Sequence, residues 1–93
     1  MIVDFKNKET AALFSREPSR RLSEAIQRIA LRKLLMLDAA TSLIDLTVPP
    51  GNQLEKLRGD RTGQHSIRIN QQWRICFRWK DGNAYAVEIV DYH

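Results

Sequence analysis

Three consecutive residues able to move protons, Asp91-Tyr92-His93, follow directly on the apolar run Tyr85-Ala86-Val87-Glu88-Ile89-Val90. Chain ends are usually frayed, but a strand through that run would hold the backbone still and carry the ionisable groups at its tip. Histidine titrates near neutrality and can serve as acid or base. Tyrosine, with an ordinary pKa of about 10, is a poor base unless nearby arginines lower that value. From position 58 to 80 the chain carries six Lys or Arg against one acidic residue, Asp60. Proton-moving groups beside such a cationic stretch suit acid–base chemistry on a polyanion, of which RNA cleavage by internal transfer is one case. A base takes the proton from the ribose 2′-OH, cations stabilise the dianionic phosphorane, and an acid protonates the departing 5′ oxygen. Dependence on the 2′-OH lets such a site cut RNA and spare DNA. The chemistry requires no metal or cofactor, and two histidines without cysteine partners do not make a zinc site.

The elements that position these groups follow from the hydrophobic pattern. Residues 2–5 read as a short opening strand and 7–16 as a brief helix. Glu17-Pro18-Ser19 breaks it, and Ser19 is placed to cap a second helix. Leu22, Ile26, Ile29, Ala30, Leu34, Leu37 and Ala40 recur at helical spacing and form one buried stripe. Arg21, Arg28 and Arg32 lie on the opposite face, either a solvated surface or a basic rail for ribosomal RNA, and Glu24 is spaced to pair with Arg28. Val48-Pro49-Pro50-Gly51-Asn52 is an irregular loop.

Three strands complete the chain. Over 64–70, Ile67 and Ile69 face one way and Ser66 and Arg68 the other. Trp73, Ile75, Phe77 and Trp79 alternate with Arg74, Cys76, Arg78 and Lys80, and Asp81-Gly82 signals a type I′ hairpin into the last strand, 83–92. The expected fold is α+β, a single domain over 1–93 with two N-terminal helices on one face of a small antiparallel sheet. Two Trp and a Phe must pack under those helices, so Arg74 and Arg78 are expected to face outward on the uncovered side. Arg58, Arg61 and Arg68 arrive there from neighbouring segments. With Tyr85, Val87 and Ile89 as core, strict alternation sends Asp91 and His93 one way and Tyr92 the other; Tyr92 is expected on the open face.

Ninety-three residues suffice for one modest core, and the composition is that of a soluble globular protein. A net charge of +4 and a pI near 9.6 suit a polyanionic partner. Cys76 is the sole cysteine, which excludes an internal disulfide framework. No apolar run is long enough to span a membrane and the first residues carry no secretory h-region, so a cytoplasmic protein is expected.

Four markers fall in order: Leu57-Arg58-Gly59-Asp60-Arg61, Ser66-Ile67-Arg68-Ile69-Asn70, Trp73-Arg74-Ile75 and Asp91-Tyr92-His93. Together they resemble the HigB-type toxins of bacterial toxin–antitoxin systems, within the RelE-like superfamily, over essentially the whole chain. The resemblance implies a ribosome-dependent endoribonuclease that cuts translated messenger RNA in the A site of the 70S ribosome. It implies Arg58, Arg74, Asp91, Tyr92 and His93 as catalytic residues, with acid and base unassigned. Arg61, Arg68, Arg78, Arg21, Arg28 and Arg32 would then contact RNA, including 16S rRNA. A HigA-type helix-turn-helix antitoxin is the implied partner, holding promoter DNA for the pair. Where some relatives carry His or Lys this chain has Glu55, a carboxylate able to act as a base or to pair with Arg58. His65 reads as structural or RNA-contacting. The other readings are a non-catalytic ribosome- or RNA-binding module and a ParE-like gyrase poison.

Overall fold

The structure, a computed structural model, describes residues 1–92; His93 lies outside the described residues. The alternating run at 73–80 is the strand β3 (Trp73–Lys80), inside a four-stranded antiparallel sheet of order β1-β2-β3-β4. Its companions are β1 (Glu55–Lys56), β2 (Gln64–Arg68) and β4 (Asn83–Asp91). The helices α1 (Lys8–Phe14) and α2 (Glu24–Ala39) precede them. Asp81 and Gly82 both have positive φ, 51° and 78°, so the β3–β4 hairpin turns as the dipeptide requires.

The core lies between the helices and one sheet face. Ala30, Leu34 and Leu37 of α2, flanked by Leu22 and Ala40, meet Ile67, Ile69, Trp73, Ile75, Phe77, Ala84, Val87 and Ile89. Ile26 and Ile29 pack at its margin. Fully buried side chains such as Leu34 and Phe77 contribute about 1.5–3 kcal/mol each.

Four expectations are corrected. The cap of α2 is Ser23, not Ser19: Ser23 Oγ accepts from the Ile26 N–H at 3.3 Å. Ser19 is held instead by Gln27, whose Oε1 accepts from the Ser19 N–H and whose Nε2 donates to the Ser19 and Leu22 carbonyls. The opening segment is not a continuous strand but two parallel bridges to β4, Ile2 to Ala84 and Phe5 to Val87. A fourth strand, β1, is present, two residues long and paired through Glu55–Ser66 and Lys56–His65.

The fourth correction concerns β4. While β3 advances from Cys76 to Arg78, its partner moves from Glu88 to Tyr85, an extra residue that makes a bulge. Ala86 sits there at φ 51°, its N–H held by Asp4 Oδ1 at 2.6 Å. The bulge reverses the alternation, so Ala84 enters the core and Tyr85, paired with Arg78, stands on the open face.

Candidate active site

Arg74 lies on the open side of the sheet, between Arg68 of β2 and Val90 of β4. It does not project into solvent as its alternation suggests, for only 6% of it is exposed. Its Nε donates to Ser66 Oγ at 2.8 Å, and its Nη2 donates to the carbonyls of Gln53 and Ser66. Nη1 lies 3.8 Å from Glu55 Oε1, so Glu55 pairs with Arg74 rather than Arg58. A buried guanidinium needs this many partners to offset its desolvation. The cover comes from residues 53–55 and from Tyr92, whose ring centroid is 5.7 Å from the guanidinium carbon.

Tyr92 follows Asp91 out of β4 and falls on the same side as Val90 and Arg74. Its backbone N–H donates to the Gln72 carbonyl at 2.6 Å, which anchors the strand end. Gln72 Nε2 in turn donates to Asp91 Oδ2 at 3.1 Å. Asp91 pairs with Trp73 across the sheet and is exposed. The result is a phenol, 39% of its residue exposed, resting on a buried cation. Such stacking orients the ring and keeps positive charge beneath it.

A support network absent from the sequence reading holds the cover in place. Asn52 is fully buried: its Oδ1 accepts from Lys33 Nζ, and its Nδ2 donates to the carbonyls of Leu46 at 3.1 Å and Val48 at 3.4 Å. The next residue, Gln53, turns left-handed at φ 44° and presents its carbonyl to Arg74. Lys33, 8% exposed, has its ammonium pKa pushed down, first by burial and then by Arg32 and Arg68. The signal for Lys33 was in the sequence. It occupies the stripe of Ala30, Leu34 and Leu37 at helical spacing, where a solvated cation has no place.

The other cations are dispersed. Leu57 N–H donates to the Gln64 carbonyl, and Gln64 pairs with Arg78, so exposed Arg58 lies near the Arg78 level, away from Arg74. Among the described residues Arg58 makes no ion pair. Arg61 donates to Gln64 Oε1 and to Glu88 Oε2, the latter at 3.2 Å; Lys6 is 3.4 Å from the same oxygen. Arg68 is half-buried and Arg78 exposed. Arg28 and Arg32 are exposed on α2, and no ion pair joins Glu24 to Arg28 among the described residues. Arg21 precedes the helix: it pairs with Glu9 at 2.7 Å, donates to the Ile89 carbonyl and covers the Trp73 ring at 4.9 Å. Arg21 thus ties α1 to the sheet and stands before α2 rather than on its face.

His65 stacks on Phe77 at 6.1 Å, and its buried Nδ1 has no hydrogen-bond partner among the described residues. Burial, then Lys56, push its pKa below the ordinary value. Cys76 is fully buried, and burial pushes its thiol pKa up. Among the described residues no group of three His, Cys, Asp or Glu is arranged to hold a metal ion. No described helix is long and apolar enough to cross a membrane.

The model of a family described as the RelE-like toxin of type II toxin-antitoxin system HigB matches residues 3–93. Toxin HigB-1 of Vibrio cholerae serotype O1 is 41% identical over 85 residues, covering 90% of each chain. Endoribonuclease HigB of Proteus vulgaris is 35% identical over 94 residues, covering 100% of each.

Proposed function

We propose that this chain, which belongs to the RelE-like HigB toxins of type II toxin–antitoxin systems, is an endoribonuclease that cuts translated messenger RNA in the ribosomal A site. The observation that carries the reading is the Tyr92 ring seated on the buried Arg74 guanidinium at the end of the open sheet face. RNA laid on that face brings its phosphate to a phenol able to give or take a hydrogen bond. Arg74 supplies fixed positive charge against the phosphorane, at no reorganisation cost because its partners already hold it. Asp91, Tyr92 and His93 share the two proton transfers, one from the attacking 2′-OH and one to the departing 5′ oxygen. Arg58, in the β1–β2 turn at the Arg78 end, holds a phosphate of the same strand away from the point of cutting, while Arg61, Arg68 and Arg78, with Arg28 and Arg32 on α2, contact messenger and 16S rRNA.

Membership in a type II system implies an antitoxin partner. Here it is a HigA-like helix-turn-helix protein that carries the pair to promoter DNA, and the site of action is the cytoplasm. Primer extension on a message translated by purified ribosomes tests the reading. Wild type should give in-frame cuts that vanish without ribosomes and in Tyr92→Ala. Binding of the ribosome without any cuts would make the chain a binding module instead.

A further inference from the structure

At the far end of the same open face lies a concavity of about 520 Å³, lined by Gly63, Arg78, Trp79, Lys80 and Tyr85. That volume falls within the range of small-molecule sites. Its chemistry is specific. Arg78 and Lys80 are exposed cations, and Tyr85, their neighbour across the hairpin, is brought to this face only by the bulge at Ala86. Gly63, at φ 92°, has a backbone that disfavours a side chain, and a Cβ there would come within 2.8 Å of Arg78 Nη1 and displace that guanidinium.

We propose that this concavity is a second nucleotide subsite, which stacks one unpaired base of the RNA on Tyr85 and holds its phosphate with Arg78 and Lys80. Aromatic rings beside cations suit single-stranded nucleic acid, because every base offers a face to stack while the charges follow the backbone. Arg78 lies four positions along β3 from Arg74, about 13 Å at ordinary strand rise, the reach of a few nucleotides. The surface between does not repel a phosphate chain: Cys76 is buried, and the Glu88 carboxylate is matched by Lys6 and Arg61. The subsite rests on the reading of the Arg74–Tyr92 end as the place of cutting, and it fixes the strand to one side of that point.

The test pairs binding with turnover. Binding of a short single-stranded oligoribonucleotide with 2′-O-methyl riboses, which internal transfer cannot cut, is followed by fluorescence anisotropy. Tyr85→Ala should weaken it about tenfold, the size of one lost stack. Tyr85→Phe, which keeps the ring, should bind as wild type does and so separates stacking from misfolding. Arg78→Gln with Lys80→Gln should weaken binding and flatten its salt dependence. In ribosome-programmed cleavage, Tyr85→Ala should raise KM and leave kcat near wild type. Normal cutting with unchanged KM and unchanged affinity in Tyr85→Ala would overturn the subsite and leave the nuclease standing. Tyr85-dependent binding by a wild type that cuts nothing would do the reverse. Equal competition by duplex RNA would overturn a stacked, unpaired base.

Discussion

Replacing Asn52 with alanine removes one amide that ties Lys33, the Leu46 carbonyl and the Val48 carbonyl together in a fully buried position. Lys33, 8% exposed, loses its acceptor, and hydrogen bonds to charged groups contribute about 1.5–3 kcal/mol. The Leu46 carbonyl loses a donor, at about 1–3 kcal/mol. Partial access of water to Lys33 trims the sum to about 3 kcal/mol. A domain of this length holds about 5–14 kcal/mol in total, so the variant should melt about 12–24 °C lower. Circular dichroism melts measure this, and a double-mutant cycle isolates the cause. In a Lys33→Met background Asn52→Ala should cost only the carbonyl, leaving a coupling of about 1.5 kcal/mol or more. A melting point within about 3 °C of wild type, or purely additive effects, would refute the reasoning. Below the melt, the variant should also cut RNA with lowered kcat, because Gln53 no longer fixes Arg74.

Cys76, fully buried and with its thiol pKa raised, should resist a thiol-reactive probe in the native protein and react only at the rate of unfolding; immediate labelling would contradict its place in the sheet. His65 has its pKa lowered when folded, so the folded state binds fewer protons than the unfolded chain and stability rises with pH. Its neutral form is fully present above the ordinary value of 6.5, and stability is lost as pH falls below it toward the lowered folded value. Denaturant melts between about pH 7.5 and pH 5 should therefore show a slope that His65→Phe flattens; an identical slope in both proteins would sink the assignment.

Much of this arrangement was legible in residue order. The stripe through Ala30, Leu34 and Leu37, the alternation of β3 and the Asp81-Gly82 turn each follow from a local period or a φ requirement, and those features place the helices over Ile75 and Phe77. Alternation assigns a face, however, and says nothing of what covers it. Arg74 is on the expected side yet buried, because residues 53–55 fold over it from a loop pinned by Lys33, a contact spanning 19 positions. The bulge was illegible for a different reason: Ala86 carries a positive φ without a glycine to announce it, held by the distant Asp4. Ser23 displaced Ser19 as helix cap because the Gln27 side chain claims the Ser19 backbone.

The most direct measurement is single-turnover cleavage of ribosome-bound message by Tyr92→Phe and Arg74→Lys, with wild type alongside and the new RNA ends identified. Phenylalanine keeps the ring over Arg74 and removes only the hydroxyl, and lysine keeps the charge while losing the bonds to Ser66 and Gln53. The expected result is a rate lower by about 10²–10⁴-fold for Tyr92→Phe, ribosome binding unchanged, and wild-type products bearing 2′,3′-cyclic phosphate and 5′-OH ends. Wild-type rates in both variants, or 5′-phosphate ends, would contradict cleavage at the Arg74–Tyr92 site by internal transfer.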